Sequence, residues 1–171
     1  MSGFRKTRNQ QIVRQAEGYL ELQMPQHALD SLDRLDEPGT LSSHVLYLRG
    51  EALRQLQRYE DALGPLAAAA QKSPENIHIH LAMGWCFKRI GEIGRAIESL
   101  QHALQHEPDE PLLVYNLACY WSLAGDKPRA IDCLARALEL DAGYRDMVPG
   151  ESDFDPIRDD ADFQSLTSVI V

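Results

Sequence analysis

Residues 77–110 read IHIHLAMGWCFKRIGEIGRAIESLQHALQHEPDE, and this stretch decides the fold. Its apolar spacing predicts one helix from Ile77 to Ile90 and a second from Ile93 to His106. Gly91-Glu92 makes the turn between them, because glycine tolerates the left-handed conformation that ends a helix, and Pro108 stops the second helix. Working outward, the same residue types return every 34 positions. Ala96 has counterparts in Ala28, Ala62 and Ala130, and Leu100 in Leu32, Leu66 and Leu134. Gly84 corresponds to Ala16, Gly50 and Ala118, Phe87 to Tyr19, Leu53 and Trp121, and Pro108 to Pro74. A period of this size means stacked helical pairs rather than one undivided core.

The recurring small residues let paired backbones approach closely, and the larger residue of each unit fills the space between neighbouring helices. In the fourth unit Gly125-Asp126-Lys127-Pro128 forms the turn, with Asp126 placed to cap the next helix and Pro128 in its first turn. Two features break the pattern. Gly64-Pro65 falls inside the second helix of the second unit, where proline removes a hydrogen bond and predicts a kink. Pro38-Gly39 comes early in the first unit and predicts a helix end near Asp36.

The pattern resembles the tetratricopeptide repeat. The third unit carries it on His80, Met83, Gly84, Phe87, Ala96, Leu100 and Pro108, and the fourth on Val114, Leu117, Ala118, Trp121, Ala130 and Leu134. The second gives Leu46, Arg49, Gly50, Leu53, Ala62, Leu66 and Pro74; the first gives Ile12, Gln15, Ala16, Tyr19, Ala28 and Leu32. The resemblance implies an all-α, right-handed α-solenoid of about four helix-turn-helix units (9–42, 43–76, 77–110 and 111–142) within an array spanning 1–142. An acidic segment, 143–171, is expected to cap it, because a stacked array exposes an apolar face at its last helix. Asp155-Pro156 and Asp160 read as helix starts, and Phe154, Ile157, Phe163, Leu166 and Ile170 as the apolar side of the cap. The run from Asp153 to Asp160, with Phe163 and Leu166, is similar to the closing segment of many bacterial members, which implies a complete domain end and a bacterial source.

The net charge of −9 is uneven: residues 141–171 hold eight acids and two bases, the rest 18 acids and 15 bases. This is a poor balance for nucleic acid, which needs a basic face. No stretch is apolar enough to span a bilayer, and the basic start lacks the apolar region of a secretory signal, so a cytoplasmic location is expected. Cys86, Cys119 and Cys133 are odd in number and form no CxxC pair, which argues for free thiols rather than a disulfide framework.

Family geometry implies that the first helix of each unit lines a concave inner wall. Inward positions in the first unit are then Gln10, Val13, Arg14, Glu17 and Leu20. In the second they are His44, Tyr47, Leu48, Glu51 and Arg54; in the third, His78, Leu81, Ala82, Trp85 and Lys88, with Arg89 adjacent. In the fourth they are Leu112, Tyr115, Asn116, Cys119 and Ser122. Aromatic groups beside basic ones suit a peptide groove. The expected partner-binding set is therefore His44, Tyr47, Leu48, Glu51, Arg54, His78, Leu81, Trp85, Lys88, Arg89, Tyr115, Asn116 and Cys119. Arg54 and Lys88, equivalent positions in adjacent units, are expected to meet acidic groups on a ligand.

Some chaperone-binding members clamp a terminal carboxylate with Lys, Asn and Arg at fixed positions. Here Val13, Glu17, Leu48, His78 and Ala82 stand there, and Asn116 alone matches, so that mechanism is disfavoured. Glu98, His102 and His106 share one helix face and read as a solvated outer surface, while His44 and His78 offer a pH-sensitive pair. No nucleophile elbow, phosphate loop or zinc-protease motif is present, and no metal or cofactor is expected. The reading is a non-enzymatic adaptor that binds a protein or peptide segment, with a secretion-type chaperone or a self-associating module as alternatives.

Overall fold

The computed structural model describes residues 2–35 and 42–168, with side chains described from Lys6 onward. Every regular element among these residues is helical. The chain divides into two compact units, Met1–Ile90 and Gly91–Val171.

The first unit holds α1 (Ser2–Glu21), α2 (Pro25–Leu32), α3 (Ser43–Gln55), α4 (Tyr59–Lys72) and α5 (Ile77–Arg89). The helix starts are set by side chains: Ser42 accepts from the Val45 amide and Asn76 from the His78 amide. Helix α1 begins seven residues before the expected repeat start at Asn9, so the basic stretch around Arg5 and Arg8 belongs to it. Helix α2 ends at Leu32; Asp36 and Pro38-Gly39, read as the end of that helix, lie outside the described residues. Helix α4 runs from Tyr59 to Lys72 with Pro65 inside it.

Two apolar cores knit this unit. One gathers Ala16, Ala28, Leu32, Val45, Leu48 and Ala52, and the other Ala62, Leu66, Ala69, Ile79, Ala82 and Cys86. Half-buried Tyr47 packs against both. Arg49 braces α3 against the end of α2, at 2.6 Å from Asp33 and donating to the Leu32 carbonyl at 3.0 Å.

The second unit holds α6 (Ile93–Leu104), α7 (Pro111–Leu123) and α8 (Lys127–Leu140), then 3-10 turns at Ala142–Asp146, Val148–Gly150 and Ser152–Ile157, and α9 (Ala161–Thr167). Asp126 caps α8 by accepting from the Arg129 amide, with Pro128 in the first turn, and Asp160 caps α9 by accepting from Asp162 and Phe163. Asp155-Pro156 starts no helix; Pro156 lies inside the third 3-10 turn. The caps at Ser42, Asn76 and Glu110 fall 34 residues apart, so the period governs the helix starts as well as the packing.

It also governs the turns. Among the described residues, those with positive φ are Gln23, Gln57, Gly91 and Gly125, again at 34-residue intervals, at +55° to +83°. In three of these turns the next amide reaches back to the large residue of the pattern, Met24 to Tyr19, Arg58 to Leu53 and Asp126 to Trp121, which is the six-to-one bond of a Schellman ending.

All four recurring alanines, Ala28, Ala62, Ala96 and Ala130, and all four leucines, Leu32, Leu66, Leu100 and Leu134, are 0% exposed. At Gly50 on the seam, a Cβ would lie 2.4 Å from Leu66 Cγ. Gly50→Ala should therefore cost about 1–3 kcal/mol by overpacking, read as a lower urea midpoint at an unchanged slope. The turns make a paired prediction. Gly91→Ala should destabilise by about 1 kcal/mol, whereas Gln57→Gly should stabilise by roughly 0.5–1 kcal/mol, since relief of left-handed strain exceeds the added chain entropy of glycine. Thermal melts of the two variants should move in opposite directions.

Candidate functional site

The open polar and aromatic surface of the first unit is built on α3 and α5, which contact each other. At its centre Trp85 is 39% exposed, an uncommon degree for so large a side chain. Two cations flank its ring: the Arg54 guanidinium 6.0 Å and the Lys88 ammonium 5.2 Å from the centroid. Positions 85 and 88 are one turn apart on α5, and Arg54 comes from the last turn of α3, so the repeat register brings the three together.

Arg54 is not a loose charge. It binds Glu51 through two parallel bonds, Nε and a terminal nitrogen each 2.9 Å from a carboxylate oxygen. This fork raises the Arg54 pKa further and neutralises much of its charge locally. Burial, then the Glu51 charge, lifts the Tyr47 hydroxyl to about 12, so the ring is a neutral donor at physiological pH. Burial likewise raises the Cys86 thiol to about 11 against the pull of Arg54, which leaves it a protonated core group. Beside this cluster His44 lies 2.6 Å from Glu17 of α1, and both are substantially exposed.

The remaining expected residues of this unit divide. His78 is exposed at the start of α5, and Leu81 is half-buried. Leu48, expected on the inner wall, is buried against Ala16, Ala28 and Leu32 and belongs to the core. Arg89, expected beside Lys88, instead lies over the Tyr59 ring of α4 at 5.3 Å.

In the second unit three of the expected wall residues, Tyr115, Cys119 and Ser122, are closed off, while Leu112 is exposed. Helix α7, PLLVYNLACYWSL, is apolar all round, the pattern of a helix buried on every side. Tyr115 and Cys119, expected to face a ligand, are 3% and 2% exposed. Tyr115 stacks on Tyr144 with centroids 4.7 Å apart and meets the Phe154 ring edge-on at 5.7 Å. Both partners belong to the segment after α8, whose Val148, Phe154, Ile157 and Phe163 are buried. Leu166 is half-buried, and Ile170, also read as part of the cap, lies outside the described residues. Arg145 ties the turns to α9 through the Leu166 carbonyl at 2.6 Å, and Lys127 ties α8 to Asp160 at 3.2 Å. Lys127 and two backbone amides hold the Asp160 carboxyl below its ordinary value. Asn116 stays half-exposed but donates to the Leu112 carbonyl on its own helix.

Sequence reasoning missed the Glu17–His44 pair and the closure of α7. For α7 the signal was present: a first helix without a polar stripe needs a cover on both sides. Glu98, His102 and His106 are exposed, in keeping with a solvated face.

Among the described residues, no helix is long and apolar enough to cross a membrane. Two models of the tetratricopeptide repeat match the chain, at residues 14–77 and 53–112. A curated relative, the phagocyte signaling-impaired protein of Drosophila pseudoobscura pseudoobscura, is 29% identical over 104 residues, or 59% of this chain. The match spans 11% of that relative's length. Among solved structures, MamA superposes with a TM-score of 0.74 at 18% identity, covering 81% of each chain. YrrB, described as a TPR protein with an unusual peptide-binding site, gives 0.71 at 17% identity, covering 79% of this chain and 70% of its own. These likenesses establish the all-α solenoid fold of such repeats, and with the matched repeat models and the 34-residue register they show that the chain belongs to the tetratricopeptide-repeat family.

Proposed function

We propose that this chain is a non-enzymatic adaptor that binds a peptide segment of a partner protein against the α3–α5 face. The observation that carries the proposal is Trp85, a large exposed aromatic flanked by Arg54 and Lys88. Aromatic and Arg side chains dominate binding energy at protein interfaces when a partner covers them. The peptide-binding site ascribed to YrrB supports the same use of the fold. A cytoplasmic setting suits three cysteines that form no disulfide.

The chemistry of the face narrows the ligand. Glu51 already satisfies Arg54, and Glu17 already meets His44, so the face offers little uncompensated charge for a strongly acidic peptide. The better fit is an extended or helical segment with an apolar or aromatic anchor against Trp85.

Short random peptides displayed on phage and selected on the full chain test this. Recovered sequences should share an apolar anchor, and their affinity should fall at least tenfold for Trp85→Ala, with a smaller loss for Lys88→Glu. In a Trp121→Phe background, binding should shift the emission of Trp85. Selected peptides that bind the Trp85→Ala, Lys88→Glu double variant as tightly as the parent chain would sink the assignment.

A further inference from the structure

Beneath the C-terminal cap, three groups of metal-ligand type converge. Cys119 Sγ from α7 and one carboxylate oxygen each from Glu151 and Asp153 lie within 4.8 Å of one another. Cys119 and Asp153 are buried, and Glu151 stands half-exposed at the rim, where an ion would enter. Glu151 Oε1 also accepts the Asp153 amide at 3.1 Å. Two carboxylates gathered beside a thiol repel one another when ionised, and a cation held among them relieves that repulsion.

A second observation points into the same place. The Tyr115 hydroxyl, on a side chain 3% exposed, makes no hydrogen bond. Besides Tyr144, the ionisable groups that act on it are Cys119, Glu151 and Asp153. Buried hydroxyls without a partner are rare and call for an explanation such as an ion or water. Tyr115 and Cys119 are four residues apart on α7, hence on one face of the helix.

We propose that Cys119, Glu151 and Asp153 bind a borderline transition-metal dication of the Zn²⁺ class, with water completing the shell and hydrogen-bonding the Tyr115 hydroxyl. The thiolate excludes Mg²⁺ and Ca²⁺, which take oxygen ligands, and a mixed sulfur and oxygen set suits Zn²⁺ or Co²⁺. Ligands at 2.0–2.3 Å in a tetrahedron lie roughly 3.3–3.8 Å apart, so the site closes by a contraction of about 1 Å. Binding releases the thiol proton. The ion would staple residues 151–153 to α7 and hold the cap in place.

Cobalt titration of the chelator-treated full chain tests the site. The expected result is a sulfur-to-cobalt charge-transfer band in the near ultraviolet that saturates at one equivalent and is displaced by Zn²⁺. Cys119→Ser should abolish the band, while Cys86→Ser, Cys133→Ser and the surface variant His102→Ala, His106→Ala should keep it. Asp153→Asn retains the thiol and should weaken cobalt binding at least tenfold; it carries the test if circular dichroism shows that Cys119→Ser does not fold. Absence of the band in the parent chain, its persistence in folded Cys119→Ser, or unchanged affinity in Asp153→Asn would overturn the proposal.

Discussion

The close approach of paired helices is the constraint on which the rest of the structure depends. It is enforced where a side chain is nearly absent: Gly50 leaves its place to Leu66, and Ala28, Ala62, Ala96 and Ala130 are entirely enclosed. Because these positions recur every 34 residues, so do the capping residues, the left-handed turn residues and the large side chains whose carbonyls close the turns. Seam and turn are one mechanism. A helix that must pack at one fixed depth must also end at one fixed residue, or the next helix would meet the wrong face.

Once the seam is satisfied, positions away from it can vary, and the two units use this freedom differently. On α3 and α5 the chain places Tyr47, Arg54 and Trp85, which are only partly covered. On α7 it places Tyr115 and Cys119, buried beneath aromatic and aliphatic groups from its own C-terminal segment. The same repeat register thus yields an open surface in one unit and a closed one in the other.

Much of the fold was legible because its signals are local and repeated. A glycine at the turn, an Asp before Lys127-Pro128 and an alanine at a fixed phase each have a short-range physical cause. What was not legible depends on contacts distant in sequence. Leu48 reads as a wall residue until the core formed with Ala16 and Leu32 claims it, and Arg89 reads as a partner of Lys88 until Tyr59 of α4 takes it. The burial of Tyr115 depends on Tyr144 and Phe154, which follow it by 29 and 39 residues and fall outside any repeat. Pro65 sits inside helix α4, which runs on to Lys72, so its local signal does not mark a helix end.

The central claim is that the face available to a partner lies on α3 and α5, while the equivalent face of α7 is closed by the chain itself. Hydroxyl-radical footprinting of the native chain, with each rate normalised to that of the unfolded chain, tests it most directly. The account predicts ready modification of Trp85, partial modification of Tyr47 and near-complete protection of Tyr115. Tyr115 modified as readily as Trp85, relative to the unfolded chain, would contradict it.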